Sequence, residues 1–375
     1  MRRDILRLSQ FLAIGFSPSE LHVYNSAICI KGDRLFRRHF WSIFIVSAFP
    51  AYADSCIDLV PHRNQLPMPG IFLELELESA CILESGVYRF STNLTRSNTT
   101  TISQAKSSRY SRLILDHERE EITVKVEAGL GSGWGLNIRL RYLKDWEGDW
   151  DHFMRQFHHV TGLPYESRKV RPDGEFLYWQ YRPENNDNEQ FIWITKTQKG
   201  NGDYVLSLGK QHGGFLGSPE VQWSTRLVYK HPSADDLPTI SSGKRDYGIS
   251  TAAEGSGVWW DRNIQWLVNL GLVHAGKTEH TLYEQNLTFF SGGGGVSTSF
   301  NDDWTITIQN LIASPRYHAP GLELKGMNQW QSILAVGVFY HLEHQSLMLA
   351  FTEDLFTNHS EDFSLIFSWK GQSGK

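Results

Sequence analysis

The segment Ile122-Thr-Val-Lys-Val-Glu-Ala-Gly-Leu130 alternates between apolar and polar side chains and decides the fold class. After the tight Gly131-Ser132-Gly133, the stretch Trp134–Tyr142 alternates again. A period of two residues places all side chains of one kind on one face, which predicts two antiparallel strands joined by a turn. The apolar face carries Ile122, Val124, Val126, Ala128 and Leu130, then Leu136, Ile138, Leu140 and Tyr142. The polar face carries Thr123, Lys125 and Glu127, then Asn137, Arg139 and Arg141.

The same pattern recurs along the chain after Gly86, in about twelve segments. Short connections alternate with longer ones, apart from the last, near Thr357–Ser360. Membrane β-barrels show this bias, because their periplasmic turns are short and their external loops are longer. We therefore predict an all-β fold, a transmembrane up-and-down antiparallel β-barrel of about twelve strands. The segments are roughly 85–96, 110–130, 134–143, 203–213, 219–231, 246–255, 263–276, 286–300, 304–315, 330–342, 345–356 and 361–370.

Composition agrees with a barrel and excludes other classes. The longest strongly apolar run, Trp41–Phe49, is about nine residues, whereas a membrane-spanning helix needs ~20. The net charge is −5, so no basic excess exists to neutralise nucleic-acid phosphates. Aromatic residues make up 13% of the chain, which argues against disorder.

Aromatic residues also fall near the two ends of the predicted strands, as the two interfacial girdles of a membrane barrel would require. Near the short-turn end lie Trp134, Trp260, Trp304 and Trp369; near the other end lie Tyr142, Trp146, Tyr229, Tyr283, Tyr317 and Trp330.

The N-terminal region has the features of an export signal. Arg34, Arg37 and Arg38 precede the apolar Trp41–Phe49, and Ala51-Tyr-Ala53 has the form of a cleavage site. We predict that residues 1–53 are an upstream extension plus signal peptide, that 54–84 form a periplasmic segment, and that 85–370 form the barrel in the outer membrane. Pairing of Cys56 with Cys81 stays open at this point, since the sequence gives no geometry.

Several segments resemble an uncharacterised family of proteobacterial outer-membrane barrels, a domain of unknown function. The resemblance covers roughly 60–370. It rests on Leu113-Ile-Leu-Asp-His-Glu118, Gly133-Trp-Gly135, and Trp150–Phe157 running into Gly162-Leu-Pro164. This chain departs from the pattern at Asp116-His117, where an Asp-Gly turn is expected, and in the polar tail Lys370–Lys375. The resemblance implies fold and location, and it implies no activity.

Charged side chains on the polar faces should point into the lumen, because Arg or Lys on the outer face costs about 2–4 kcal/mol at the bilayer midplane. The tentative pore-lining residues are Lys125, Glu127, Arg139, Arg141 and Arg226. They predict either a charged constriction that selects solutes or ion pairs that fill a narrow barrel, with Glu127 near Arg139.

The segment 144–202 is longer than a connection needs, and such loops are usually functional or disordered. Trp150, Phe153, Met154 and Phe157 form the apolar stripe of a short helix. Phe176–Arg182 and Phe191–Thr195 predict a hairpin. Either the hairpin extends the wall to fourteen strands, or the loop caps or plugs the barrel, which we favour.

No motif indicates catalysis or a cofactor. His152 and His159 are seven residues apart, too loose for a metal site, and no G-x-S-x-G signature occurs. We therefore predict no enzyme activity, no cofactor, no metal and no nucleic-acid partner. The expected partners are outer-membrane lipid and the barrel-assembly machinery, with the oligomeric state left open. The expected function is a channel or transporter for a small solute. The alternatives are a structural or surface-interaction barrel with a filled lumen, and an outer-membrane hydrolase.

Overall fold

The computed structural model describes residues 21–24, 27–30, 56–104, 112–162, 171–183, 189–214, 221–233, 237–259, 262–318, 328–354 and 363–373. The chain divides into two units, 1–49 and 50–375. In the first, β1 (Leu21–Tyr24) pairs antiparallel with β2 (Ala27–Ile30). The predicted signal peptide, 34–53, lies outside the described residues. Among the described helices, none is both long and apolar enough to cross a bilayer.

The second unit is a closed antiparallel barrel with a wall of twelve strands. Each strand pairs with its neighbour in the wall, and the last strand pairs with the first, so the wall has no free edge. The wall strands are β3 (Tyr88–Gln104), β4 (Arg112–Gly131), β5 (Trp134–Trp146), β9 (Tyr204–His212), β10 (Gln222–His231), β11 (Asp246–Trp259), β12 (Arg262–His274), β14 (Thr288–Ser299), β15 (Trp304–Ala313), β17 (Gln331–Leu342), β18 (Gln345–Glu353) and β19 (Phe363–Ser373). All twelve predicted segments are confirmed as strands.

The wall is apolar outside and polar inside, the reverse of a water-soluble protein. In β12, Leu270 is 51% exposed on the outer face while the adjacent Asn269 is 4% exposed on the inner face. In β10, the outward Leu227 is 60% exposed and the inward Arg226 is 8% exposed. An apolar outer belt of this kind fits the hydrocarbon core of a bilayer, because charged side chains that face lipid destabilise a membrane barrel.

Residues 57–82 lie inside this wall, within the range 54–84 that we predicted as a periplasmic segment. We call residues 57–82 the plug segment. It enters at the short-turn end of the barrel, turns through the short helix α1 (Pro67–Gly70), and returns to join β3. It is not one of the membrane-crossing strands. This placement was not predicted, because we considered the charges of the wall only with one another, whereas several of them pair with this segment.

Two elements of the long loop pack at the opposite end of the barrel. Helix α2 (Asp151–Thr161) confirms the predicted helix; its Phe153 and Phe157 rings contact Phe363 in β19. The Glu118 carboxylate accepts the backbone N–H groups of Asp149 and Trp150, just before the helix begins. A carboxylate at a helix N-terminus is favourable because the backbone N–H groups there lack partners in the helix.

The predicted hairpin is also present, as β6 (Leu177–Pro183) and β7 (Glu189–Ile194). It pairs with Arg112–Asp116 at the outer end of β4 and does not enter the wall, so the barrel has twelve strands and not fourteen. The short strand β8 (Gln198–Asn201) pairs with β5, and β13 (Glu284–Gln285) pairs with β16 (Tyr317–His318).

The predicted aromatic girdles are only partly as expected. Trp134 and Trp304 are exposed at the short-turn end, and Trp330 is exposed at the other. Tyr283 and Tyr317 lie instead in the interior, 6% and 1% exposed, among the residues that contact the tip of the plug segment. Trp260 lies outside the described residues.

Candidate functional site: the plugged lumen

The returning half of the plug segment carries three carboxylates, Glu74, Glu76 and Glu78. Each of them contacts an arginine outside the plug segment. Glu74 Oε1 lies 2.7 Å from Arg316 Nη2, Glu76 Oε1 lies 2.8 Å from Arg139 Nη1, and Glu78 Oε2 lies 2.8 Å from Arg226 Nε. Carboxylate–guanidinium contacts of this length are among the stronger polar interactions in proteins.

Glu78 has the most wall contacts of the three. Its Oε1 atom lies 3.3 Å from Arg139 Nη2, 3.9 Å from Lys125 Nζ and 3.1 Å from Asn137 Nδ2, in addition to the contact with Arg226. Burial raises the pKa of Glu78, but Lys125 and Arg226 lower it by more, so its pKa falls below the usual range. The carboxylate is therefore ionised at neutral pH.

The five residues predicted from the sequence all lie on the inner face of the wall. Lys125, Arg139 and Arg226 meet at Glu78. Glu127 lies 3.0 Å from Lys125 and 3.7 Å from Arg89. Arg141 is buried, 7% exposed.

Glu127 lies near Arg139 as a diagonal neighbour, because strand register places Asn137 opposite Glu127 and Lys125 opposite Arg139. The closest cation to Glu127 is Lys125. The sequence analysis missed the plug carboxylates that Arg139 contacts. A signal for them exists in Leu73-Glu-Leu-Glu-Leu-Glu78, which alternates apolar and acidic residues.

The plug segment has no strand partner, and inward side chains of the wall bind its backbone instead. The Gln309 carboxamide accepts the N–H of Val60 and donates to its C=O, and Asn269 does the same for Glu78. Two carboxylates accept backbone N–H groups of the plug. Glu254 accepts the N–H of Ala80, and Asp246 accepts the N–H of Leu73. Buried backbone groups need such partners, so these side chains form the seat of the plug.

Inward glycines make room for the apolar side chains of the plug. A Cβ atom at Gly337 would lie 2.5 Å from Val60 Cγ2. One at Gly271 would lie 2.5 Å from Leu75 Cδ1, and one at Gly209 would lie 2.8 Å from Ile82 Cδ1. Since real Cβ atoms essentially never approach other atoms so closely, larger residues at these positions would displace the plug.

The tip of the plug is packed among apolar side chains of the strand ends and loops. Leu66, Met68 and Phe72 belong to one buried cluster with Tyr178 and Tyr317. The Tyr317 hydroxyl donates to the C=O of Met68 at 3.1 Å. Burial raises the pKa of both tyrosines, so their hydroxyls stay protonated.

A buried ion cluster holds the chain just after the tip. Lys230 Nζ lies 2.8 Å from Asp203 Oδ2 and 3.0 Å from Asp246 Oδ2, and it donates to the C=O of Ile71 at 2.8 Å. All three ionic side chains have no exposed surface. The two carboxylates compensate the buried ammonium, which would be very costly alone.

A disulfide between Cys56 and Cys81 closes the base of the plug. The pairing left open by the sequence therefore exists, and it makes the plug a covalently closed loop. Glu254 lies beside the two sulfur atoms. Because both sulfurs are in the disulfide, they are not thiolate ligands, and this trio does not form a zinc site of the cysteine type.

A small cavity remains between the returning half of the plug and the wall. Its volume is about 10 Å³, and its lining includes Glu76, Glu78, Asn137, Arg139 and Ser207. That volume is close to the minimum that one water molecule needs. The plug therefore fills this part of the lumen in the described conformation.

The sequence matches the model of a protein family over residues 40–371, and that family is described as a protein of unknown function, DUF3187. The chain belongs to this family. Among curated proteins, none matches the sequence. This membership agrees with the resemblance found in the sequence. Neither of them identifies an activity.

Solved structures with a similar fold are outer-membrane proteins. An outer-membrane channel from Pseudomonas putida F1 is 9% identical, with 80% of this chain and 100% of that chain covered and a TM-score of 0.49. The NanC porin is 11% identical, with 76% and 99% covered and a TM-score of 0.38. The channel DcaP of Acinetobacter baumannii is 9% identical, with 78% and 99% covered and a TM-score of 0.30.

With TM-scores below 0.5, these likenesses carry no function to this chain. The closed wall and its apolar outer belt identify the protein as an outer-membrane β-barrel.

Proposed function

We propose that this protein is an outer-membrane channel for a small solute, closed by the plug segment and opened when that segment leaves its seat. The observation that carries the proposal is the position of Glu78 among three cations of the wall. A wall of twelve strands encloses more space than the eight-stranded barrels that side chains alone fill. Removal of the plug would therefore leave a polar passage.

The polarity of the seat supports a plug that moves. Replacing a buried ion pair with packed apolar residues is often neutral or stabilises a protein by 1–4 kcal/mol. A plug that never leaves the lumen would therefore gain little stability from ion pairs over apolar contacts. A segment that alternates between its seat and water benefits from polar contacts, because charged side chains are well solvated when they separate.

A structural barrel with a permanently filled lumen is the second candidate. The observations that favour it are the fastening at both ends of the plug, by the disulfide at Cys56 and by the fully buried Lys230 cluster. We propose no catalytic role, because no observation favours the hydrolase alternative.

Single-channel conductance in a planar bilayer separates the two candidates. We would compare the full mature chain with a variant in which a short Gly–Ser linker replaces residues 57–80. Resistance of the folded barrel to SDS before heating would verify that each protein is folded. The channel proposal expects brief openings from the full chain and a steady conductance from the variant. If both folded proteins are electrically silent, the structural candidate stands.

Location and export complete the proposal. The apolar outer belt would contact outer-membrane lipid, and insertion would depend on the barrel-assembly machinery. Export would remove residues 1–53. N-terminal sequencing of the mature protein should begin at Asp54, and a different first residue would refute that cleavage site.

A further inference from the structure

We infer that Glu76 and Glu78 occupy an anion site of the wall, and that the solute which takes their place is a small organic carboxylate. This inference rests on the proposed channel function and names its substrate class. The carboxylates of the plug would then act as internal stand-ins for the ligand.

The contacts of Arg139 make this site suited to two carboxylates at once. Its Nη1 atom lies 2.8 Å from Glu76 Oε1, and its Nη2 atom lies 3.3 Å from Glu78 Oε1. On the other side of Glu78, Arg226 Nε contacts Oε2 at 2.8 Å. Arginine favours carboxylates because its planar group presents several N–H donors in a fixed arrangement.

The charges of the wall determine that the site binds anions. Without the plug, the cations Lys125, Arg139 and Arg226 would outnumber the two wall carboxylates that act on them. These are Glu127, which contacts Lys125 at 3.0 Å, and Glu121, which acts on Arg139. In a water-filled lumen these cations create a positive potential, so the emptied site favours an incoming anion over a neutral solute or a cation. An aqueous lumen with this lining should therefore select anions.

The spacing of the two glutamates favours a dicarboxylate over a monocarboxylate. Their carboxylates contact the two terminal nitrogen atoms of one guanidinium, that of Arg139, so the two acid groups lie close together. A ligand that replaces both therefore needs two acid groups joined by a short chain, as in a five-carbon dicarboxylate. Glutarate is therefore a suitable probe, and the neutral glutaramide is its matched control.

The test uses the full mature chain in planar bilayers. E76Q/E78Q keeps the shape of the plug but removes the two negative charges that contact Arg139, so we expect more frequent openings than in the wild type. Under a KCl gradient, the reversal potential of these openings should indicate chloride selectivity. Glutarate should reduce the open current, and glutaramide at the same concentration should not.

The wall variant R139A/R226A identifies the site. When it is combined with E76Q/E78Q, the glutarate concentration that halves the current should rise about tenfold or more, because charge-assisted hydrogen bonds are lost. R262A is the control, since Arg262 is an exposed cation at the short-turn rim. It should leave the glutarate effect unchanged.

The outcomes distinguish the two proposals. Cation-selective openings, or block by glutarate that R139A/R226A does not weaken, would overturn the anion site while the channel proposal stands. If folded E76Q/E78Q and wild type never open, the channel proposal fails and this inference fails with it.

Discussion

The side chain of Gln309 pairs with the backbone of Val60 as a neighbouring strand would. Its Oε1 atom accepts the Val60 N–H at 3.0 Å, and its Nε2 atom donates to the Val60 C=O at 2.7 Å. One carboxamide thus satisfies both backbone groups of a residue that belongs to no sheet. This relationship shows how a polar wall holds an irregular segment without a strand ladder.

Replacing Gln309 with leucine should loosen the plug. The Val60 N–H would stay buried without its partner, at a cost of about 1–3 kcal/mol, and the Val60 C=O would keep only its contact with His62 Nδ1. Amide hydrogen exchange of residues 57–66 should accelerate in Q309L. N310L is the matched control, because Asn310 neighbours Gln309 on the outer face of the same strand. Equal exchange in both variants would mean that Gln309 does not hold the plug.

Enlarging Gly337 should displace the plug through Val60. G337A would place a Cβ atom against Val60 Cγ2, and overpacking of this kind costs about 1–3 kcal/mol. Protease digestion of the plug in G337A should be faster than in the wild type. Adding V60A should restore much of the protection, since the two residues are in contact and their effects are coupled.

The control for this pair is Gly257, where an added Cβ atom would meet nothing within 4 Å. G257A should leave the protection of the plug unchanged. If V60A fails to rescue G337A, the strain arises within the wall and not at the plug.

Breaking the disulfide should raise the opening rate. The bond joins residues that are 25 positions apart in the sequence. Closing a loop of that size stabilises the folded protein by about 3–4 kcal/mol according to the chain-entropy estimate. Reductant should increase both protease cleavage within 57–80 and the frequency of channel openings. C56S/C81S should behave like the reduced protein and should not respond to reductant. If reductant still increases cleavage or opening in C56S/C81S, its effect does not arise from this disulfide.

Removing the Lys230 ammonium should destabilise the whole barrel. K230M would leave Asp203 and Asp246 buried without their cation, and breaking a buried pair in this way costs about 3–5 kcal/mol. The temperature at which the folded barrel loses SDS resistance should fall. K210M, at a partly exposed lysine near the short-turn end whose ammonium contacts the Ser132 C=O, should have no such effect. If K230M loses SDS resistance at the same temperature as the wild type, the Lys230 cluster contributes little to the stability of the barrel.

Acid pH should weaken the seat through His62, which is 2% exposed. Burial lowers the pKa of His62, and the neighbouring Glu74 opposes this only partly. The lowered pKa means that the seated plug favours neutral histidine. The contribution of His62 is therefore fully present above pH ~6.5 and is lost as the pH falls toward the seated pKa.

The protection factors of residues 57–66, which are corrected for the intrinsic exchange rates, should thus fall between about pH 7 and pH 5. H62Q should reduce this dependence, whereas H152Q, on the exposed face of α2, should retain it. A pH dependence that is the same in wild type and H62Q would exclude His62 as its source.

The wall of the barrel could be read from the sequence because strand alternation is a local property. Ile122–Leu130 shows which residues share a face, and the cost of charge in lipid indicates which face points inward. The helix at Trp150–Phe157 was also predictable, since its apolar stripe repeats over two turns. Twelve strands and their inward charges followed from such local patterns.

The plug and its partners were decided by the tertiary structure. The pairs Arg139–Glu76 and Arg226–Glu78 join residues far apart in sequence, and strand register determined that Glu127 faces Asn137. Alternation shows that a charged side chain points inward, but it carries no information about which distant group neutralises it. That choice depends on which segment fills the lumen, and only the closed barrel brings that segment and the wall together.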